Sequence, residues 1–221
     1  MKKIALALIA LVAVLSPLAA GESWIGVTTG PSFNIEKEKG ADQFTNYGMD
    51  VNIEGAYYFN EAETLGIGAK LGFGFHFDST MDIQPLMPHF PNEFDNPSAG
   101  FAIAPAVTFQ YRLGFTDNLD LRLGVGAQYV HVFSQGASYS TQGLEVLNVE
   151  YATDRLELIA NADLAYSFGD FQIIAGVDFG YAVLYHYNET ITTNGTKTTD
   201  SDFYEGYAMS ITPRVGVSYA F

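Results

Sequence analysis

FYEGYAMSITPRVGVSYAF, residues 203–221, alternates almost without a break. Phe221, Tyr219, Val217, Val215, Pro213, Ile211, Met209, Tyr207 and Phe203 form one apolar set, interrupted only at Glu205. Between them stand Ala220, Ser218, Gly216, Arg214, Thr212, Ser210, Ala208 and Gly206, small or polar until Tyr204. A period of two is the strand period. One side of this strand therefore wants an apolar medium and the other accepts charge.

The same alternation recurs over 24–35, 47–59, 65–77, 101–113, 119–129, 155–168 and 171–186. Each run is about ten residues or slightly more, the length of a tilted membrane-spanning strand. The connectors alternate too. Those after the second, fourth and sixth runs are short (NEAET, GFTDN, GD), whereas those after the first, third, fifth and seventh are long. This rhythm predicts an all-β fold, an eight-stranded antiparallel up-and-down β-barrel closed between its first and last strands.

The composition of the two sets decides which faces out. The set containing the charges is rich in Gly and Ala, as at Gly66, Gly68, Gly72 and Gly74 in the third run and Ala102, Ala104 and Ala106 in the fourth. A water-washed surface built mainly of such residues would stabilise a strand poorly. Eight strands enclose a bore barely wide enough for side chains, so small residues belong inside. The bulky set, with aromatics near the strand ends, then faces lipid, and the barrel is a transmembrane one.

The N-terminus fits that setting. MKKIALALIALVAVLSPLAAG has two lysines, an apolar stretch too short to span a bilayer, and small residues after it, so 1–21 reads as a cleaved signal peptide and 22–221 as the barrel. The chain has no cysteine and a formal net charge of −15, which excludes a disulfide framework and argues against nucleic acid as a partner. No Lys or Arg falls on the outward parity of the runs, with Lys37, Lys39 and Lys197 in connectors. Lipid phosphates are held by charge-assisted bonds from such residues. Divalent cations could bridge the loop carboxylates to such phosphates, but the deficit spans the whole outer face, so a host membrane poor in ordinary lipopolysaccharide is the expectation.

With its eight alternating runs, its connector rhythm and its ending VGVSYAF, the chain resembles the small outer-membrane barrels: the OmpA transmembrane domain, OmpX, OmpW and the opacity or adhesin barrels. The resemblance implies an outer-membrane location and a monomer. It also implies that Val217, Tyr219 and Phe221 form the signal read by the outer-membrane assembly machinery.

Inside the bore the inward parity carries Lys70, Arg112, Arg122, Arg155 and Arg214 against Asp50, Glu54, Asp120, Glu157, Asp163 and Asp178. Unpaired charges there would be very costly, so these residues are expected to form an ion-pair network, with Arg112, Asp120 and Arg122 nearest the short turns. The network either fills the bore and fixes register or, as the resemblance to OmpA implies, acts as a gate. Toward the long loops Val130, Val132, Ile159 and Leu184 share the inward parity, Ile83, Leu86, Met87 and Phe90 lie in the second long connector, and Leu144, Val146, Leu147 and Val149 lie in the third. These are loop packing or, as the resemblance to OmpW implies, a cup for a small hydrophobic ligand. His76 and His186 are expected in the lumen and His131 on the lipid face, with no carboxylate placed to complete a triad and no metal-ligand spacing. The reading is a non-enzymatic barrel without cofactor or metal. It contributes to envelope integrity and surface presentation, with a narrow channel or a host-protein adhesin as alternatives.

Overall fold

The computed structural model describes residues 22–38, 43–60, 62–77, 100–141, 144–193, 195–203 and 206–221. The leader at 1–21 and the connector residues Ile83, Leu86, Met87 and Phe90 lie outside them. The strands are β1 (Ser23–Glu38), β2 (Phe44–Tyr58), β3 (Leu65–Phe77), β4 (Gly100–Thr116), β5 (Leu119–Thr141), β6 (Leu144–Phe168), β7 (Phe171–Thr193), β8 (Thr196–Phe203) and β9 (Gly206–Ala220). Eight of them close an antiparallel ring in sequence order, sealed by β1 on β9 with Trp24 opposite Ala220 and Val27 opposite Val217. Closure leaves the ring without a free sheet edge, which hydrocarbon demands, although the ladder is interrupted beside Pro31 and Pro213 and beside Pro105.

The ninth strand was not expected. β8 pairs with β7 from His186↔Phe203 to Thr193↔Thr196 and stands outside the ring. The fifth and seventh connectors are thus largely hairpins rather than irregular loops. β4 and β5 part company above Ala102↔Val132, while β5, β6 and β7 run on to Thr141, Leu144 and Thr193. Nine further residues at about 3.4 Å each raise this side of the wall by up to roughly 30 Å of strand. Thr-rich and β-branched residues favour that extension. Gly195, at φ 79°, turns the β7–β8 hairpin in the left-handed region that suits glycine.

The faces divide as the alternation requires. Arg122 is 1% exposed and Arg214 3%, whereas Val125 is 62% exposed and Val215 60%. Outward aromatics ring both ends. Tyr111, Phe115, Phe168, Phe171, Tyr219 and Phe221 stand at the short-turn end, and Tyr47, Phe75, Tyr129, Phe133 and Tyr181 toward the long hairpins. One basic residue departs from the expectation, because β1 extends to Glu38 and carries Lys37 on the outward parity at the rim, exposed and opposite Tyr207. The outer face is therefore not free of basic side chains.

An arginine in place of Val125, in the middle of the apolar band, should cost about 2–4 kcal/mol of folding free energy in a bilayer. Urea titration of the barrel in lipid vesicles would read this. A loss near zero would mean that this face meets water.

Candidate functional site

The lumen is filled in layers, each set by the strand register. Glu54 on β2 lies opposite Lys70 on β3, and Arg122 on β5 lies opposite Asp163 on β6. In the middle layer Arg214 of β9 gathers three carboxylates. Its Nη2 donates to both Asp163 oxygens at 2.8 and 2.7 Å, its Nη1 bonds Glu54, and its Nε lies 3.1 Å from Asp178 Oδ1. Lys70 then donates to the other Asp178 oxygen at 2.8 Å, and Asn161 donates to Asp163 at 2.9 Å. Ion pairs therefore tie β2, β3, β6, β7 and β9 together across the bore. Room for this comes from Gly176, the register partner of Asp163, where a Cβ would strike the Asp163 carboxylate.

Above this layer Arg155 reaches Glu36 at 3.1 Å and Glu157 at 3.3 Å, and its guanidinium lies over the Tyr185 ring. Tyr185 in turn donates to Glu36 at 3.0 Å. Sequence reasoning left Glu36 out of the bore because the first run was ended at Ile35, one residue short of it. At the floor Arg112 pairs with Glu22 and, at 2.9 Å, with Asp120. Arg122 lies under the same floor but among the described residues has no carboxylate within 4 Å. It donates to Gln172 at 2.7 Å and stacks 4.7 Å from the centre of the Trp24 ring. Of the expected network, Glu54, Lys70, Asp163, Asp178 and Arg214 therefore meet in one cluster and Arg112 and Asp120 in a second, with Arg122 apart from both.

Val130, Val132 and Ile159 are buried in the lumen, the two valines packed with Ala102. Leu184 is not with them. A β-bulge sets Leu156 opposite Leu184 but Glu157 opposite Ala182, so the parity of β7 flips there and Leu184 points outward, 55% exposed. The apolar cup loses that member. The same flip carries His186 outside, opposite Asp154. There His186 Nε2 lies 3.0 Å from Ser201 Oγ, and His131 Nδ1 lies 2.8 Å from Asp154. Among the described residues no hydrogen bond joins His186 to a carboxylate, so Ser201 and His186 lack the third member of a triad. No group of three metal-ligating side chains occurs among the described residues either.

Among the described residues the bore holds small cavities, two of which lie one above the other. One of about 40 Å³ is bordered by Asp50, Gln128, Val130, Arg155 and Glu157, and one of about 20 Å³ by Trp24, Glu54, Gln110 and Arg214. Lys70, Asp178 and Ile159 border both. Each has room for about one or two waters.

No protein-family model and no curated protein sequence matches the chain. Solved structures with the same fold include a major outer membrane protein of Thermus thermophilus, at 14% identity and a TM-score of 0.59, covering 91% of this chain and 100% of that one. Neisserial surface protein A is similar at 9% identity and a TM-score of 0.51, covering 91% and 100%. OprG of Pseudomonas aeruginosa is similar at 13% identity and a TM-score of 0.51, covering 91% and 96%. At such identities the likeness concerns the fold, which is that of the small eight-stranded outer-membrane β-barrels. With an apolar band between two aromatic rings around that fold, the chain is an integral outer-membrane protein.

Replacing Arg214 by Met should strip three buried carboxylates of their shared partner and cost about 3–5 kcal/mol. The check is the urea midpoint of the variant in lipid vesicles. A shift no larger than that of an exposed substitution would show that the cluster holds nothing together.

Proposed function

We propose that the protein is a non-enzymatic outer-membrane barrel whose ion-paired lumen is closed to bulk flow. It contributes to envelope integrity and presents its tall hairpins to the outside. The Arg214 cluster carries this reading, because it spans the bore between five of the eight ring strands. The extended β5–β8 wall supports the presenting role, with every residue of β8 exposed. The barrel acts as a monomer in outer-membrane lipid. Val217, Tyr219 and Phe221 all point outward, where an assembly machinery could read them before lipid covers them. A host protein held by the hairpins would make the chain an adhesin.

A second reading, a narrow channel or a binding cup for small hydrophobic molecules, draws on the paired cavities. Lys70 and Asp178 border both chambers, so displacement of their bridge would join the two. The upper chamber carries charged groups on its wall, Asp50, Arg155 and Glu157 among them, however, and Leu184 is outside it, which favours water over an apolar guest.

Planar-bilayer recording separates the two. The closed-lumen reading expects no steady conductance steps from the unaltered protein, with steps appearing when Lys70 and Asp178 are both replaced by Ala. Reproducible openings of the unaltered barrel, or its uptake of a hydrophobic dye into vesicles, would move the assignment to transport.

A further inference from the structure

Among the described residues, every carboxylate in the bore but one has a cation beside it. Glu22 and Asp120 hold Arg112, Glu36 and Glu157 hold Arg155, and Glu54, Asp163 and Asp178 hold Arg214. Asp50, on the inward parity of β2, has no described cation within 4 Å. Lys70 acts on it only from farther off and is bonded to Asp178. The neighbouring strands offer Asp50 no side chain in register, because its partners are Gly30 on β1 and Gly74 on β3. Its contacts are hydroxyls. Thr212 donates to it at 3.3 Å, and Ser32, 2% exposed, lies close by with its hydroxyl in no hydrogen bond of good geometry.

Asp50 borders the upper cavity of about 40 Å³, and so does Gln128, whose buried Oε1 accepts no hydrogen bond. Thr212 borders it as well. An unpaired carboxylate and an unpartnered amide oxygen thus line one space, with room for about one ion and one water. The charge around that space is unbalanced. From Glu54 up to Glu36 the bore carries six carboxylates, those of Glu36, Asp50, Glu54, Glu157, Asp163 and Asp178, against three cations, Lys70, Arg155 and Arg214. Excess negative charge is costly where bulk water is excluded. We propose that Asp50 and Gln128, with the Thr212 hydroxyl, bind a monovalent alkali cation in the upper cavity. Such ions exchange their hydration shell for oxygen ligands, and a carboxylate, an amide oxygen and a hydroxyl are all of that kind. A divalent ion would call for further carboxylates. Glu157 is already held by Arg155, and Asp178 by Lys70 and Arg214. Water could donate to both acceptors but would leave the charge unanswered.

Urea unfolding of the barrel in lipid vesicles reads this site. Potassium chloride replaces choline chloride at fixed pH and ionic strength, the choline cation being too large for the cavity. For the unaltered protein the urea midpoint should climb with the logarithm of potassium concentration once the site fills. Asp50→Asn should lose that climb. In choline alone it should unfold at a higher urea concentration than the unaltered protein, because the unpaired charge is gone. Asp202→Asn, on the exposed β8, should keep the climb and so separates the site from general screening. Crystals of the unaltered protein grown in rubidium chloride supply a second reading, as an anomalous peak beside Asp50 and Gln128. A midpoint indifferent to potassium, or a climb that Asp50→Asn retains, would overturn the proposal, as would a cavity without rubidium. Those outcomes would assign the cavity to water.

Discussion

An eight-stranded ring in hydrocarbon has an interior no wider than its own side chains, and this constraint governs the rest of the molecule. The usual partition of residues is inverted. Most Leu, Val and Phe gain little by turning inward, where room is short, and lose nothing by facing acyl chains. The interior is filled mainly by Gly, Ala, polar and charged residues, with a few larger apolar ones such as Trp24, Val130 and Ile159. Gly176 shows the economy of the arrangement, since the absence of its side chain is what admits the Asp163 carboxylate.

Charge in such an interior has one stable form, the mutually satisfied cluster. Arg214 supplies it because a planar guanidinium can serve several carboxylates in different directions. Here it serves Asp163, Glu54 and Asp178, and Lys70 balances the remaining Asp178 oxygen. Buried ion pairs are weak evidence of net stabilisation, but their geometric demands are strict. A slip of one residue in any of the five strands would turn a member of the cluster into lipid. The cluster therefore acts most directly on register, and the side chains that fill the middle of the bore do so through the same contacts.

The sequence displayed the ring because each strand keeps a period of two over its membrane span, and nothing local competes with that signal. The inward parity of Glu54, Lys70, Asp163, Asp178 and Arg214 was legible for the same reason. Which carboxylate meets which cation was not, because partners such as Arg214 and Glu54 sit on β9 and β2, which are not neighbours in the ring, and meet only across the bore. The hairpins above the rim were taken for loops. The residues of β5 above the rim and of β7 and β8 there are mostly polar, and the apolar residues at the start of β6 fall on both parities (Leu144 and Val146, Leu147 and Val149), so the apolar alternation that marks a membrane strand is missing. The pair Asn194–Gly195 was the available sign of a tight hairpin turn.

The bulge at the top of β7 explains the remaining misreadings, and it also has a role of its own. Without it, Tyr185 and Tyr187 would continue the outward set of Phe179, Tyr181 and Val183, and Leu184 and His186 would enter the bore. One extra residue reverses this. Tyr185 turns inward, lies over Arg155 and donates to Glu36, completing the upper layer of the lumen. Leu184 and His186 turn outward, followed by Asn188, Thr190 and Thr192, which share a face with Glu150 and Asn148 across the ladder. The outer surface of β7 thus passes from apolar to polar within a few residues of the bulge. A strand with unbroken parity would have carried Tyr185 and Tyr187 outward instead and left Glu36 and Arg155 without their aromatic cover. The bulge therefore marks the level at which the outer face of β7 turns from apolar to polar, and at that same level it lays Tyr185 over the Arg155 layer.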